Sequence, residues 1–166
     1  MDRCPEFSLY RSKRYLKNRT FYQKIKRKLN LQNWQCNMRK DFLGHTNIEM
    51  SRICLGTMTF GNQTPENEAH SQLDCAFGNG INFIDTAEMY PVNPVSKETI
   101  GLTERIIGAY NRQNKSRRKE YILATKHSGE GLKHVRSGES ISAKTIPSAI
   151  EGSLRRLQTD YIDLYQ

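Results

Sequence analysis

The sequence predicts an α/β chain of consecutive βα units on a parallel sheet, and three observations carry that reading. Four short apolar runs lack the strict alternation of a half-exposed strand, as expected when both faces are covered by helices. Three stretches of helical period, with end signals, lie between those runs. The runs start every thirty to forty residues, the spacing of a strand, a crossover helix and the next strand of the same sheet.

The elements follow in order. Residues 38–43 (MRKDFL) and 47–51 (NIEMS) flank Gly44, His45 and Thr46, a hairpin by turn chemistry that could close the bottom of a barrel. The first apolar run is 52–57 (RICLGT). The first helix has Thr64 as N-cap and Pro65 at its first position, with Glu66 and Glu68 in the positive first turn. Its apolar face is Ala69, Leu73, Ala76 and Phe77, and Gly78 and Gly80 end it. The second run is 82–86 (NFIDT), and a helix from Leu102 to about Asn114 gathers Ile106, Ile107 and Tyr110. After the third run, 121–126 (YILATK), residues 127–140 are rich in Gly and Ser and read as one long loop. A third helix begins near Thr145, since Pro147 is tolerated only in a first turn, and it puts Ile146, Ile150, Leu154 and Leu157 on one face. The fourth run, 161–165 (YIDLY), closes the pattern.

Length and charge divide the chain. At 166 residues it is one domain by default, yet well short of the ~250 residues of a closed (β/α)8 barrel. Hydrophobic residues at 36%, evenly mixed with charge, exclude wholesale disorder. The net charge of +9 is not evenly spread: residues 1–37 hold ten basic and two acidic residues, whereas 38–166 hold sixteen and fifteen. We therefore read 1–37 as a basic arm, disordered or loosely helical, and 38–166 as the folded domain. The arm offers a nucleic acid or an anionic membrane a charged contact. A third reading of it is an upstream extension that the native protein, starting at Met38, lacks. The four cysteines are scattered, with no C-x-x-C pair, no secretory signal and no apolar stretch near the ~20 residues of a membrane span. The expectation is a cytoplasmic protein with reduced thiols.

The chemistry gathers at strand ends. No dinucleotide-binding G-x-G-x-x-G follows the first strand, and no P-loop, H-E-x-x-H or nucleophile elbow is present. Asp85 closes the second run, Tyr90 stands five residues later and Lys126 closes the third. In a βα barrel these ends converge on one mouth. A phenol is a poor acid at neutral pH, but an ammonium about 4 Å from its oxygen favours phenolate by roughly 4 kcal/mol at an effective dielectric near 20. Lys126 could supply that charge and Asp85 could hold it. On spacing alone, an Asp capping its loop, a packed Tyr and a Lys–Asp pair formed only to satisfy burial explain the same residues as well. No metal site is expected.

Four segments add to this reading: 54–61 (CLGTMTFG), 81–91 (INFIDTAEMYP), 122–126 (ILATK) and 153–166 (SLRRLQTDYIDLYQ). Together they resemble the aldo-keto reductase family, and 88–91 with 101–104 (GLTE) look most like its bacterial Tas-type branch. The resemblance runs from Met38 to Gln166 and implies the N-terminal half of a (β/α)8 TIM barrel: a hairpin, then four parallel strands with three helices. It implies reduction of a small-molecule aldehyde or ketone with NADPH. Tyr90 would be the proton donor, Lys126 the group that lowers its pKa, and Asp85 the holder of Lys126, while Gly56, Thr57, Met58 and Asp85 would lie at the cofactor. The family's fourth catalytic residue, a histidine, would fall two positions beyond Gln166. His127 is a poor substitute for it, because neighbours along a strand point to opposite faces, and is read as a loop residue. We expect this half barrel to be inactive and marginally stable alone, and its oligomeric state stays open. The alternatives are a non-catalytic NADP-binding or channel-subunit-like module, or a degraded gene remnant.

Overall fold

The computed structural model describes residues 38–166. The basic arm at 1–37, with Cys4 and Cys36, lies outside the described residues. The first element is the expected hairpin: β1 (Lys40–Phe42) pairs antiparallel with β2 (Glu49–Ser51), Asp41 opposite Met50. Gly44 takes φ +56° in the turn, and the Thr46 hydroxyl donates to the Leu43 carbonyl at 2.7 Å.

Four parallel strands follow in chain order, β3 (Leu55–Gly56), β4 (Phe83–Asp85), β5 (Ile122–Thr125) and β6 (Leu164–Tyr165). Three helices cross between them: α1 (Glu66–Gly78), α2 (Leu102–Gln113) and α3 (Ile146–Leu157). This is the expected α/β half of a (β/α)8 pattern. Gly56 stands opposite Asp85, and Asp85 opposite Ala124, so β3, β4 and β5 end level. The hairpin is fixed at the other end, where the Ser51 amide donates to Asn82 Oδ1 at 2.6 Å and Asn82 Nδ2 donates to the Glu49 carbonyl at 3.0 Å, just before β4.

The core lies between sheet and helices: Ile84 and Leu123 from the strands meet Ala69 and Leu73 of α1, Ile106, Ile107 and Tyr110 of α2 and Leu157 of α3. Burying such side chains, at about 25 cal/mol per Å² of apolar area, is what holds the layers together. The strands are shorter than the apolar runs. At β6 the ladder starts late because Asp163 substitutes for it, its Oδ2 accepting from the Leu123 amide at 2.9 Å and from Arg118 at 2.7 Å.

Two helix readings need correction. The N-cap of α1 is Pro65, with ψ 159°, and its carbonyl accepts from the Ala69 amide at 2.9 Å. Thr64 sits one step further out in a tight loop, its amide donating to the Thr59 carbonyl and its carbonyl accepting from the Gly61 amide. On α3 the buried stripe is Ala149, Ser153 and Leu157, while Ile146, Ile150 and Leu154 are half-buried. The reason is close approach. A Cβ on Gly108 of α2 would lie 2.0 Å from the Arg156 carbonyl oxygen, so the two backbones meet closely and the α3 residues turned inward before Leu157 are the small Ala149 and Ser153, with Ile146, Ile150 and Leu154 at the flank. Gly108→Ala should therefore destabilise the chain by about 3 kcal/mol through overpacking; an unchanged urea midpoint would show that the seam can open at no cost.

Candidate active site

The level strand ends bring Asp85 and Lys126 to one place. Their side chains are 26% and 29% exposed, at the mouth rather than in the core. Lys126 Nζ donates to both Asp85 carboxylate oxygens at 2.6 Å and to the Thr86 carbonyl at 2.8 Å. Those three acceptors occupy all three ammonium donors. Gln166 Nε2 donates to Asp85 Oδ1 at 3.3 Å.

Tyr90 completes the group by a different contact from the one the sequence suggests. Lys126 Nζ lies 5.2 Å from the centroid of the Tyr90 ring, within cation–π range. No hydrogen bond joins it to the Tyr90 hydroxyl. The lysine's donors are already committed to Asp85 and Thr86, so its charge reaches the phenol across the ring face.

The loop after β3 forms the next wall. A Cβ on Gly56 would meet nothing within 4 Å, so the space beside Asp85 is open there. Met58 is 43% exposed, and its carbonyl accepts from the Val92 amide at 3.3 Å, joining this loop to the one that carries Tyr90. Thr57 is buried, and its hydroxyl donates to the Asp85 carbonyl at 2.8 Å. Its side chain therefore fixes the strand end and is not turned toward a ligand.

Cys54 precedes β3. Cys54 is exposed, yet partial desolvation by its neighbours, with the nearby Asp85 charge adding, pushes its thiol up to about 11. Thiolate is the nucleophile, so Cys54 should react with iodoacetamide at pH 7.5 at least tenfold more slowly than free cysteine. Peptide mass mapping would measure this, and alkylation at the free-cysteine rate would contradict the assignment.

Sequence reasoning missed a buried polar cluster behind the mouth. The 127–140 segment is the expected loop, but a packed one: His127, Ser128 and Val135 are buried, and a 3₁₀ turn spans Arg136–Gly138. Arg136 forms an ion pair with Glu88, whose side chain is buried. His127 follows β5 as expected but is buried, with Nε2 3.2 Å from Thr145 Oγ1, away from the Asp85–Lys126 pair. Glu104 of α2 is fully buried, taking hydrogen bonds from Thr125 Oγ1 at 2.7 Å and Arg156 Nε at 2.6 Å. The signal available was position, since Glu88 and Glu104 both fall inside the segments that carried the resemblance.

Among the described residues no group of three or more His, Cys, Asp or Glu could hold a metal ion, and no helix is long and apolar enough to cross a membrane. Residues 52–166 match the profile of the aldo/keto reductase family. The chain is similar to protein tas of Escherichia coli (strain K12), 50% identical over 125 residues that are 74% of this chain and 36% of the relative. It is also similar to the uncharacterized oxidoreductase YrpG of Bacillus subtilis (strain 168), 42% identical over 135 residues, 78% of this chain and 39% of the relative. Among solved structures it superposes on the aldo-keto reductase AKR11C1 from Bacillus halodurans (holo form) with TM-score 0.62 at 37% identity, covering 78% of this chain and 39% of the other.

Proposed function

Because the chain belongs to the aldo/keto reductase family, we propose that residues 38–166 carry the catalytic half of an NADPH-dependent oxidoreductase that reduces the carbonyl of a small aldehyde or ketone, with Tyr90 as proton donor. The chain spans little more than a third of the length of the relatives it matches, 36% of protein tas and 39% of AKR11C1. The proposal is accordingly that the 166-residue chain is inactive by itself. The basic arm takes no part in the chemistry. The working compartment in this reading is the cytoplasm.

One observation carries the proposal. Lys126 is bonded to Asp85 through both carboxylate oxygens at 2.6 Å and stands 5.2 Å from the Tyr90 ring, so a fixed cation faces the group that must release a proton. Asp85 holds the ammonium and compensates its partial burial. In this reading the Tyr90 hydroxyl protonates a carbonyl oxygen as negative charge develops there, with the fixed Lys126 charge beside its ring. Bound NADPH supplies the hydride. Gly56 and Met58 would hold its nicotinamide end, Asp85 would stand beside it, and Thr57, whose amide and hydroxyl both donate to the Asp85 carbonyl, would fix the wall between them.

The test joins residues 38–166 to the C-terminal half of protein tas and follows NADPH oxidation with a panel of aldehydes and ketones. Carbonyl-dependent oxidation by the fusion, and weak or no NADPH binding by the 166-residue chain, are expected. A fusion that binds NADPH tightly yet reduces none of the panel would overturn the catalytic reading in favour of a non-catalytic nucleotide-binding module.

A further inference from the structure

We propose that Glu88 and Arg136 are positioning residues: a buried ion pair that clamps the segment after β5 onto the loop carrying Tyr90 and so holds the phenol at Lys126. The inference rests on the reading of Tyr90 as proton donor, since it names what keeps that group in place.

Glu88 stands two residues before Tyr90 and is 3% exposed. Its amide donates to the Lys126 carbonyl at 3.3 Å, and its Oε1 accepts from the Ser128 amide at 2.5 Å. One residue thus grips the backbone on both sides of His127, directly after the lysine. A buried carboxylate needs a counter-charge, and Arg136 provides it from within the 127–138 segment. The Arg136 guanidinium also donates to the Ser128 carbonyl at 3.3 Å and lies 2.9 Å from His127 Nδ1.

The backbone turns to make this reach. Arg136 and Ser137 take φ +42° and +59°, ahead of Gly138 at +77°. Two consecutive non-glycine residues in the left-handed region are strained, and such a conformation persists only where its surroundings over-determine it. The guanidinium's seat against Glu88 and Ser128 is what does so here. The grip falls on residues 88, 126 and 128, which flank the candidate catalytic groups, and on none of the hydrophobic core. That location separates a positioning role from a general structural one.

The test uses the 166-residue chain and a readout independent of turnover. A ring 5.2 Å from the Lys126 ammonium shifts the lysine's ε-methylene proton resonance upfield of its random-coil position. Arg136→Met should move that resonance at least halfway back. It should also speed amide exchange of residues 87–90 at least tenfold, with protection of Leu123 and Ala124 in β5 unchanged, and Arg136→Lys should restore most of both. If Arg136→Met also exposes Leu123 and Ala124, the pair is removed together as Glu88→Gln/Arg136→Met, which leaves no buried charge alone, and the same selective loosening is expected. An unchanged lysine resonance and unchanged exchange at 87–90 would overturn the proposal. So would loss of β5 protection in both variants, because the pair would then support the fold as a whole. Failure of the proton-donor reading shows separately, as a fusion whose turnover survives Tyr90→Phe while the clamp measurements hold.

Discussion

Tyr90→Phe, placed in the fusion of residues 38–166 with the C-terminal half of protein tas, should lower kcat for aldehyde reduction by about 10²–10⁴-fold and leave the affinity for NADPH within about twofold. The magnitude follows from what the substitution removes. Phenylalanine keeps the ring, and with it the contact that places Lys126 Nζ 5.2 Å from the ring centroid. It loses the hydroxyl, the group proposed to donate the proton. Ground-state packing is therefore preserved and only a transition-state interaction disappears, so the loss belongs in kcat. Lys126→Met in the same fusion should cost a similar factor for a different reason: the hydroxyl remains, but the cation beside its ring is gone and Asp85 is left without the partner that met both its oxygens at 2.6 Å. Stopped-flow traces of NADPH absorbance measure both. A Tyr90→Phe loss under threefold would remove Tyr90 from the proton-donor role whatever the family suggests.

The parts of this site legible in the sequence share one property: they terminate apolar runs. Asp85 ends β4 and Lys126 directly follows β5, and parallel strands of a βα pattern end on one side, so run boundaries and topology together predict their meeting. Tyr90 was legible because it follows Asp85 within one short loop. Glu88 and Arg136 lack any such local signature. Their pairing depends on a long segment without hydrophobic period folding back through a left-handed turn at 136–138, and Gly/Ser composition reads as an open loop until that turn is seen. Glu104 was obscured by the opposite habit, since a charged residue on an amphipathic helix is ordinarily placed in solvent, whereas its neighbours Thr103, Ile106 and Ile107 show it on the buried side. The face of α3 was misread for a steric reason. Periodicity favours Ile146, Ile150 and Leu154 as the inward stripe, but Gly108 admits the α3 backbone so closely that size, more than hydrophobicity, decides which α3 side chains face α2.

The largest expected loss of stability comes from that same seam. Arg156→Met should cost about 3–5 kcal/mol, because it leaves the fully buried Glu104 carboxylate with the Thr125 hydroxyl as its remaining partner. Arg156 Nε meets Glu104 Oε2 at 2.6 Å while its side chain is 26% exposed, so the arginine, once freed, can turn to water and the glutamate cannot. Glu104→Gln should therefore cost less than Arg156→Met, about 1–2 kcal/mol, since an amide still accepts from Thr125. Converting both residues to Met removes the charges together and should recover much of the Arg156→Met loss, since an apolar replacement of similar volume leaves no ion unpaired. Urea melts of the four proteins decide the matter. Equal losses for the two single substitutions, or a double variant as weak as their sum, would mean that water reaches Glu104 and that the α2–α3 seam is held by packing around Gly108 alone.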